Sequence, residues 1–507
     1  MKSNYAYLIS VSLIVALGGF LLGFDATVIS GVGPFIKNYF GLKELQYGWA
    51  VSSLGWGALA GNAMAGLLSD RFGRKKVLLL TALLFVVSAL MSAAATEFWQ
   101  FVVSRIIGGI AVGGAILIAP VYIAEIAPPK QRGSLVSFNQ LNIVIGISAS
   151  FFSNYFLLRM GNNAWRWMLG VEAAPALLYF ISLFFVPESP RWLLNQGRAD
   201  EAREIFARVG GVEYAHEELL NIQQSLKGST RDWRAWRKRG MLYIMVIAFG
   251  IAFFQQITGI NAIFYYLPTI FAQAGGGQNA AFQQAVLVGL VNLFMTLVAI
   301  WLIDRLGRKP LLIIGATGMA VSLLTCAWAF HSANYQLTDK SFELLKNEKL
   351  PADLLADLKA GPKEVFTTDK DFLNGLEKHF GADRIEPHRD SLTAAGLNIK
   401  AQMVLMAIIG FVASFAISLG PVMWVLLSEI FPNEYRGAAI SIVGFWNSIV
   451  SSSVTFIFPW ELSHFGSAGT FLGYGLLALA TLFFVLLFIP ETKRKTLEEL
   501  QTVLLRH

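Results

Sequence analysis

The sequence predicts an all-α membrane protein of many spans, and three observations carry that prediction. Only 14% of the 507 residues are charged, where a soluble chain carries about a quarter. Hydrophobic residues make up 55%, and they gather in apolar runs of 18 residues or more, each long enough to cross a hydrocarbon core ~30 Å thick. Lys and Arg collect in short loops between alternate runs, as the orientation of membrane helices requires. A soluble helical protein with a large core is the alternative that the charge deficit argues against.

The runs give twelve spans in order: 7–30, 47–68, 75–94, 99–123, 136–158, 167–187, 242–272, 281–303, 309–331, 402–428, 438–460 and 467–490. The first is too long for a signal peptide and lacks a small-residue cleavage site. An even number of spans puts both termini on one side. The short loops after spans 2, 4, 8 and 10 carry Arg71, Arg74, Lys75, Lys76, Lys130, Arg132, Arg305, Arg308, Lys309 and Arg436. Those on the other side carry only Lys37, Lys43, Arg159 and Arg166. Both termini, including the tail 491–507, are therefore expected in the cytoplasm.

Two polar stretches interrupt the spans. Residues 188–241 form a cytoplasmic linker in which "GRADEAREIFARVGG" reads as an amphipathic helix stopped by Gly210 and Gly211. Residues 332–400, rich in Lys, Asp and Glu, form an outer insertion between spans 9 and 10, with short helices such as "PADLLADLKAG" opened by Pro351. The net charge of +7 does not point to nucleic acid, because the basic residues cluster in the short loops between spans. Cys326 is the only cysteine, so no intrachain disulfide and no cysteine metal site is expected. There is no catalytic triad, metal-ligand cluster or phosphate loop, so neither an enzyme nor a cofactor is expected.

The chain repeats itself. "LLSDRFGRKK" at 67–76 recurs as "WLIDRLGRKP" at 301–310, "YIAEIAPPKQRGS" at 122–134 as "LLSEIFPNEYRGA" at 426–438, and "FFVPESPRW" at 184–192 as "LFIPETKRK" at 487–495. The offsets are 234, 304 and 303 residues, and the jump matches the insertion 332–400 in length and place. The chain is therefore two six-helix bundles, 1–187 and 242–490, an architecture of secondary transporters whose site lies between the halves at the midplane. Acid stands beside base in both copies: Asp70 with Arg71 and Arg74, Glu125 with Arg132, Asp304 with Arg305 and Arg308, Glu429 with Arg436. Glu188 and Arg191 follow in the linker, and Glu491 in the tail. These groups are read as a cytoplasmic latch between the halves; fixing topology alone is the alternative. In spans 2 and 4, Gly57/Gly61 and Gly109/Gly113 are spaced for close helix approach.

Polar side chains inside spans are rare and mark function. Span 7 reads "FFQQITGINAIFYYLP", with Gln255, Gln256, Asn261 and Tyr265, and with Gly259 and Pro268 weakening the helix. Span 5 adds Asn139 and Gln140, span 8 Asn292, span 10 Trp424, and span 11 Trp446 and Asn447. Amides offer donor and acceptor together, and an aromatic face lies well against the C–H face of a sugar ring. The set suits a neutral polyhydroxylated solute; interhelical amide contacts are the alternative.

These motifs, the duplicated "DRxGRK", "PESPRW", "QQxxGIN", "PETK" and the two "E…RG" turns, resemble the sugar porter family of the major facilitator superfamily, above all its bacterial proton-coupled xylose, arabinose, galactose and glucose symporters. The resemblance covers nearly the whole chain except 332–400. It implies a central pentose or hexose site, with sugar contacts on Gln140, Gln255, Gln256, Asn261, Tyr265, Asn292, Trp424 and Asn447. It also implies a bacterial inner-membrane location; a monomer is the default expectation.

Asp25, in "LLGFDATVISG" of span 1, and Arg105, in "SRIIGG" of span 4, are read as the isolated charges of the amino half. Each alone is costly to bury, and a pair partly cancels that cost. In the resembling family proton symporters carry Asp at this place and facilitators commonly Asn. The expectation is proton-coupled uptake of a monosaccharide; a static ion pair, an uncoupled facilitator and a sugar sensor are the alternatives.

Overall fold

The computed structural model describes residues 5–128, 131–227, 239–275, 277–347, 350–367, 369–432 and 435–493. Lys130, the basic stretch 228–238 and most of the tail, 494–507, lie outside the described residues.

Apolar runs in lipid must satisfy their own backbone, so they fold as helices. The first half holds α1 (Tyr5–Tyr39), α2 (Glu44–Phe72), α3 (Arg74–Ala94), α4 (Phe98–Ile126), α5 (Arg132–Leu157), α6 (Ala164–Gly170) and α7 (Ala173–Leu183). Three short helices follow on the linker: α8 (Pro190–Asn195), α9 (Ala199–Gly210) and α10 (Val212–Lys227). The second half opens with α11 (Arg239–Ile257), α12 (Ile260–Gln273), α13 (Gln278–Leu306) and α14 (Arg308–His331). The insertion holds α15 (Asp339–Asn347), α16 (Ala352–Ala360), α17 (Asp369–Phe380), α18 (Ala382–Ile385) and α19 (Arg389–Gly396). The chain closes with α20 (Ala401–Ile417), α21 (Leu419–Ile430) and α22 (Arg436–Phe488).

Twelve spans result because three are broken and two are joined. Span 6 is α6 plus α7, span 7 is α11 plus α12, and span 10 is α20 plus α21. The 53-residue α22 is two spans meeting at Gly466, whose φ of 68° is non-helical. Span 7 breaks where Gly259 takes a left-handed φ of 86°; Pro268 is carried inside α12. The break in span 10 falls at Ser418, three residues before Pro421, which lacks the N–H that a continuous helix would need.

Helices α2 and α4 pack backbone to backbone. A Cβ on Gly57 or Gly109 would strike the carbonyl of Ile106 or Leu54, so only glycine permits this approach. Buried side chains form two large clusters. One, with Val15, Leu78 and Tyr122, fills the amino half near its charged turns. The other takes Val28, Tyr47 and Trp165 from the amino half and continues into Ile263, Phe411 and Phe458 of the carboxy half. The two halves therefore share a core only at the end away from the charged turns.

The insertion is a small domain on a stem. β1 (Asn334–Tyr335) pairs antiparallel with β2 (Leu397–Asn398), bringing entry and exit together. Above the stem Phe342, Leu345, Phe372, Ile385 and Leu392 form a separate core. Pro351 stands immediately before α16, which opens there as the sequence suggests. Arg384 ties α18 to α16 through Asp353 (3.0 Å) and Asp357 (2.9 Å). Backbone N–H groups at the start of α16, helped by Arg384, hold the Asp353 carboxyl below its ordinary pKa.

Candidate functional site

Asp25 lies midway along α1 and Arg105 in the first third of α4; both are 1% exposed. Arg105 Nη1 donates to Asp25 Oδ1, and Nη2 donates to the Asp25 backbone carbonyl at 2.9 Å. A third buried charge joins them. Glu172, 2% exposed at the break between α6 and α7, adjoins Asp25 within electrostatic and hydrogen-bonding reach. Asp25 Oδ2, Arg105 Nε and Glu172 Oε1 have no partner among the described residues. Two carboxyls against one guanidinium leave one negative charge uncompensated, so the buried cluster has a place for one proton. The sequence reading missed Glu172, although an acid in the apolar run 167–187 is the same signal that singled out Asp25.

The amides meet in the carboxy half, where the break in span 7 turns the end of α11 toward α22. Gln256 Nε2 donates to Asn447 Oδ1 (3.1 Å) and to Gln255 Oε1 (3.2 Å). Asn447 Nδ2 donates to Gln255 Oε1 (2.8 Å) and to the Ala252 carbonyl (2.9 Å). Asn261 Nδ2 donates to Gln256 Oε1 (2.9 Å) and Ser451 Oγ (2.7 Å). Gln255 Nε2 reaches the Leu419 carbonyl (2.8 Å) at the break in span 10. Asn261 Oδ1 receives no hydrogen bond among the described residues, so a ligand hydroxyl can donate to it. Gln140 on α5 and Trp424 on α21 are exposed, and Asn292 on α13 is buried; these three make no hydrogen bond to the network among the described residues. Tyr265 on α12, one turn beyond Asn261, lies within electrostatic reach of both Arg105 and Asp25.

The charged turns are built alike in the two halves, but with partners the sequence did not suggest. Glu125 takes Arg74 (3.0 and 3.1 Å), not Arg132, whose side chain lies outside the described residues, as does that of Asp304. Asp70 pairs with Arg74 at 3.0 Å. Glu429 takes Arg308 at 2.7 Å, while Arg436 donates to the Phe431 carbonyl at 3.2 Å. The reason lies in the helix starts. α3 and α14 begin with unsatisfied N–H groups, and the acids of the "PES" and "PET" motifs cap them. Glu188 accepts from the backbone of Arg74 (2.9 Å) and Lys75 (3.0 Å), and Glu491 from Arg308 (3.2 Å) and Lys309 (3.1 Å). Arg74 and Arg308 are thereby drawn inward, to the acids of α4 and α21. Arg191 faces Glu218 at 4.0 Å, Arg71 lies over Phe72, and Arg305 lies over Trp301. Among the described residues, none of these pairs joins one half to the other.

Comparison with known proteins bears on the whole chain. The family described as "Sugar (and other) transporter" matches residues 11–342 and 391–504. The arabinose-proton symporter of Bacillus subtilis is 35% identical over 98% of this chain and 95% of its own. The D-xylose-proton symporter of Escherichia coli is 33% identical over 99% of this chain and 96% of its own. Among solved structures, the inward open conformation of the xylose transporter XylE from E. coli superposes with a TM-score of 0.75, at 32% identity, covering 98% of this chain and all of that one. Residues 343–390, most of the small inserted domain, lie outside the family match.

Proposed function

This chain belongs to the sugar (and other) transporter family, and from that premise we propose that it imports a neutral monosaccharide, a pentose or hexose, by proton symport. The observation that carries this reading is the buried Asp25–Arg105–Glu172 cluster, set one helix away from the amide network through Tyr265. The twelve helices form two bundles that rock about the site between them, and the chain is a transporter, not an enzyme. In this reading the amides of α11, α12 and α22 hold sugar hydroxyls, with Gln140, Asn292, Tyr265 and Trp424 completing the site from other walls. Asp25 exchanges its proton when rocking alters its contact with Arg105 or with water, and Glu172 shares that proton.

The two charge clusters, Arg74–Glu125–Glu188 and Arg308–Glu429–Glu491, clasp the cytoplasmic ends of their own halves. They come together as a latch when the protein opens outward. In the present conformation the halves meet at the opposite end. Tyr47 packs edge-on against Tyr266 at 5.3 Å, and Ser148 Oγ donates to the Gly289 carbonyl at 3.0 Å. That supports an inward-facing state, in keeping with the inward open relative. The protein is integral to the membrane; the finer reading is a monomer in the bacterial inner membrane with both termini and the linker 188–241 in the cytoplasm.

The test is uptake by proteoliposomes across a panel of labelled pentoses and hexoses, with and without an imposed proton gradient. The parent accumulates at least one sugar only with the gradient. Asp25→Asn is expected to bind and exchange that sugar yet not accumulate it, since Asn cannot ionise. Accumulation and sugar-driven alkalinisation at the parent level in Asp25→Asn would reduce the cluster to a structural ion pair.

A further inference from the structure

The first part of α22 is amphipathic in an unusual way, because three of its sides are already engaged. Asn447 and Ser451 face the amides of α11 and α12, Gly444 faces Trp424 of α21, and Phe456 faces Trp49 of α2. The remaining side points away from both the sugar site and the other half. It carries Trp446, Val450, Ser453, Ile457 and Glu461, and with Phe253 of α11 and Tyr474 it lines an open groove of about 260 Å³. Trp446 and Glu461 are 15 residues apart in the sequence, so the groove runs roughly 22 Å along the helix, about the length of an extended fatty acyl chain. Its lining is mostly apolar, with Ile449, Val454 and Leu477 adding to it, and Ile457 is 39% accessible, as expected of a surface that meets lipid.

The groove has one charge, at the end farther from the charged turns. Glu461 accepts a hydrogen bond from Tyr474 Oη at 2.8 Å and, among the described residues, has neither a cationic partner nor a second donor. A half-buried carboxylate beside lipid calls for a cation. The same Tyr474 ring packs against Gly259, the break in span 7, so the groove adjoins the hinge of the helix that carries Gln255 and Gln256.

We propose that this groove is a lipid site: one acyl chain of a bilayer lipid lies along α22 from Trp446 to Ile457, and the primary ammonium of its headgroup pairs with Glu461. Of the common headgroups, an ethanolamine supplies three N–H donors to the carboxylate, a choline supplies charge without donors, and a glycerol supplies no charge.

The test is photo-crosslinking of the full chain, in bilayers, with lipids that carry a diazirine in the acyl chain and differ only in headgroup. Phosphatidylethanolamine is expected to label peptides spanning 446–461 at least threefold more than phosphatidylglycerol, with phosphatidylcholine between. Glu461→Gln should level the three yields. Ser453→Phe, which fills the groove, should cut the phosphatidylethanolamine yield at least threefold, with sugar binding retained as the check on folding. Equal labelling by all three lipids in the parent would overturn the proposal without recourse to any variant. So would yields that neither substitution moves.

Discussion

Asn261 and Gln255, six residues apart in span 7, differ in role: one has a free acceptor, the other holds two helix breaks together. Asn261 Oδ1 is open, whereas Gln255 Nε2 is committed to the Leu419 carbonyl at the break in span 10. Removing a hydrogen-bonding side chain costs roughly 1–3 kcal/mol when a buried partner is left unsatisfied. Asn261→Ala is therefore expected to weaken sugar binding by about 5- to 150-fold, with a smaller loss of thermal stability in detergent than Gln255→Ala, because the acceptors it leaves, Gln256 Oε1 and Ser451 Oγ, belong to half-buried rather than buried hydrogen bonds. Gln255→Ala should lower both affinity and stability, because the Leu419 carbonyl and Asn447 lose their partner. Ligand-dependent tryptophan fluorescence gives the affinities and a thermal-shift assay the stabilities. Equal stability loss in both variants would show that Asn261, too, is scaffold. At this scale the sequence was legible where polarity stands out against an apolar run, which singled out Asp25, Arg105 and the span 7 amides. Glu172 carries the same signal and was passed over. The partners of Glu125 and Glu429 were not legible, since helix spacing says nothing of which acid reaches a helix start from another element.

Among the elements, the inserted domain was read as an outer cap from its charge and its place in the repeat, but its fold was not readable. Its core joins residues as far apart as Phe342 and Leu392, and short amphipathic helices do not declare their packing. The structure makes one feature of it testable. Because β1 and β2 pair with Asn334 opposite Asn398 and Tyr335 opposite Leu397, the chain leaves and re-enters the bundle at neighbouring points. Two paired strands can be joined by a two-residue turn such as Asn-Gly. Replacing residues 336–396 with that turn should leave membrane insertion and sugar uptake within about twofold of the parent, as expected when a domain has its own core and its two ends already meet. A correctly inserted but inactive deletion would show that the cap takes part in transport. Its side of the membrane is checked separately with a cysteine at exposed Asn374, in a Cys326→Ser background. An impermeant thiol reagent should label it on intact cells, and labelling only after lysis would invert the topology drawn from Lys and Arg.

For the whole molecule, the duplication and the twelve spans were visible in the motifs, because an internal repeat fixes architecture without any knowledge of packing. What the repeat could not convey is which end of the molecule is closed, since alternating access uses one sequence for both states. The structure answers that through contacts between halves. Tyr47 and Tyr266 are both nearly fully buried, their rings meet edge-on, and Tyr266 packs further against Phe458 at 5.1 Å. An aromatic pair of this kind is worth about 0.5–1.5 kcal/mol beyond its buried area. By contrast, among the described residues the charge clusters at the other end pair within each half and give this conformation no bond from one half to the other. The balance between states thus rests on contacts at one end, and weakening them should tilt it. Tyr47→Ala removes the edge-on contact present only while this end is closed, so it should raise the outward-facing population roughly 2- to 12-fold relative to inward, the ratio to which about 0.5–1.5 kcal/mol corresponds. Spin labels on cysteines at Thr96 and Gln278, both exposed near that end of opposite halves, would report it in a Cys326→Ser background. The long-distance component should grow in Tyr47→Ala, and a saturating sugar or an acid pH should move the parent and the variant in the same sense. A distance distribution identical to the parent would mean that the closed end is held by the continuous core around Val28 and Ile263 and that the tyrosine pair only fills space within it.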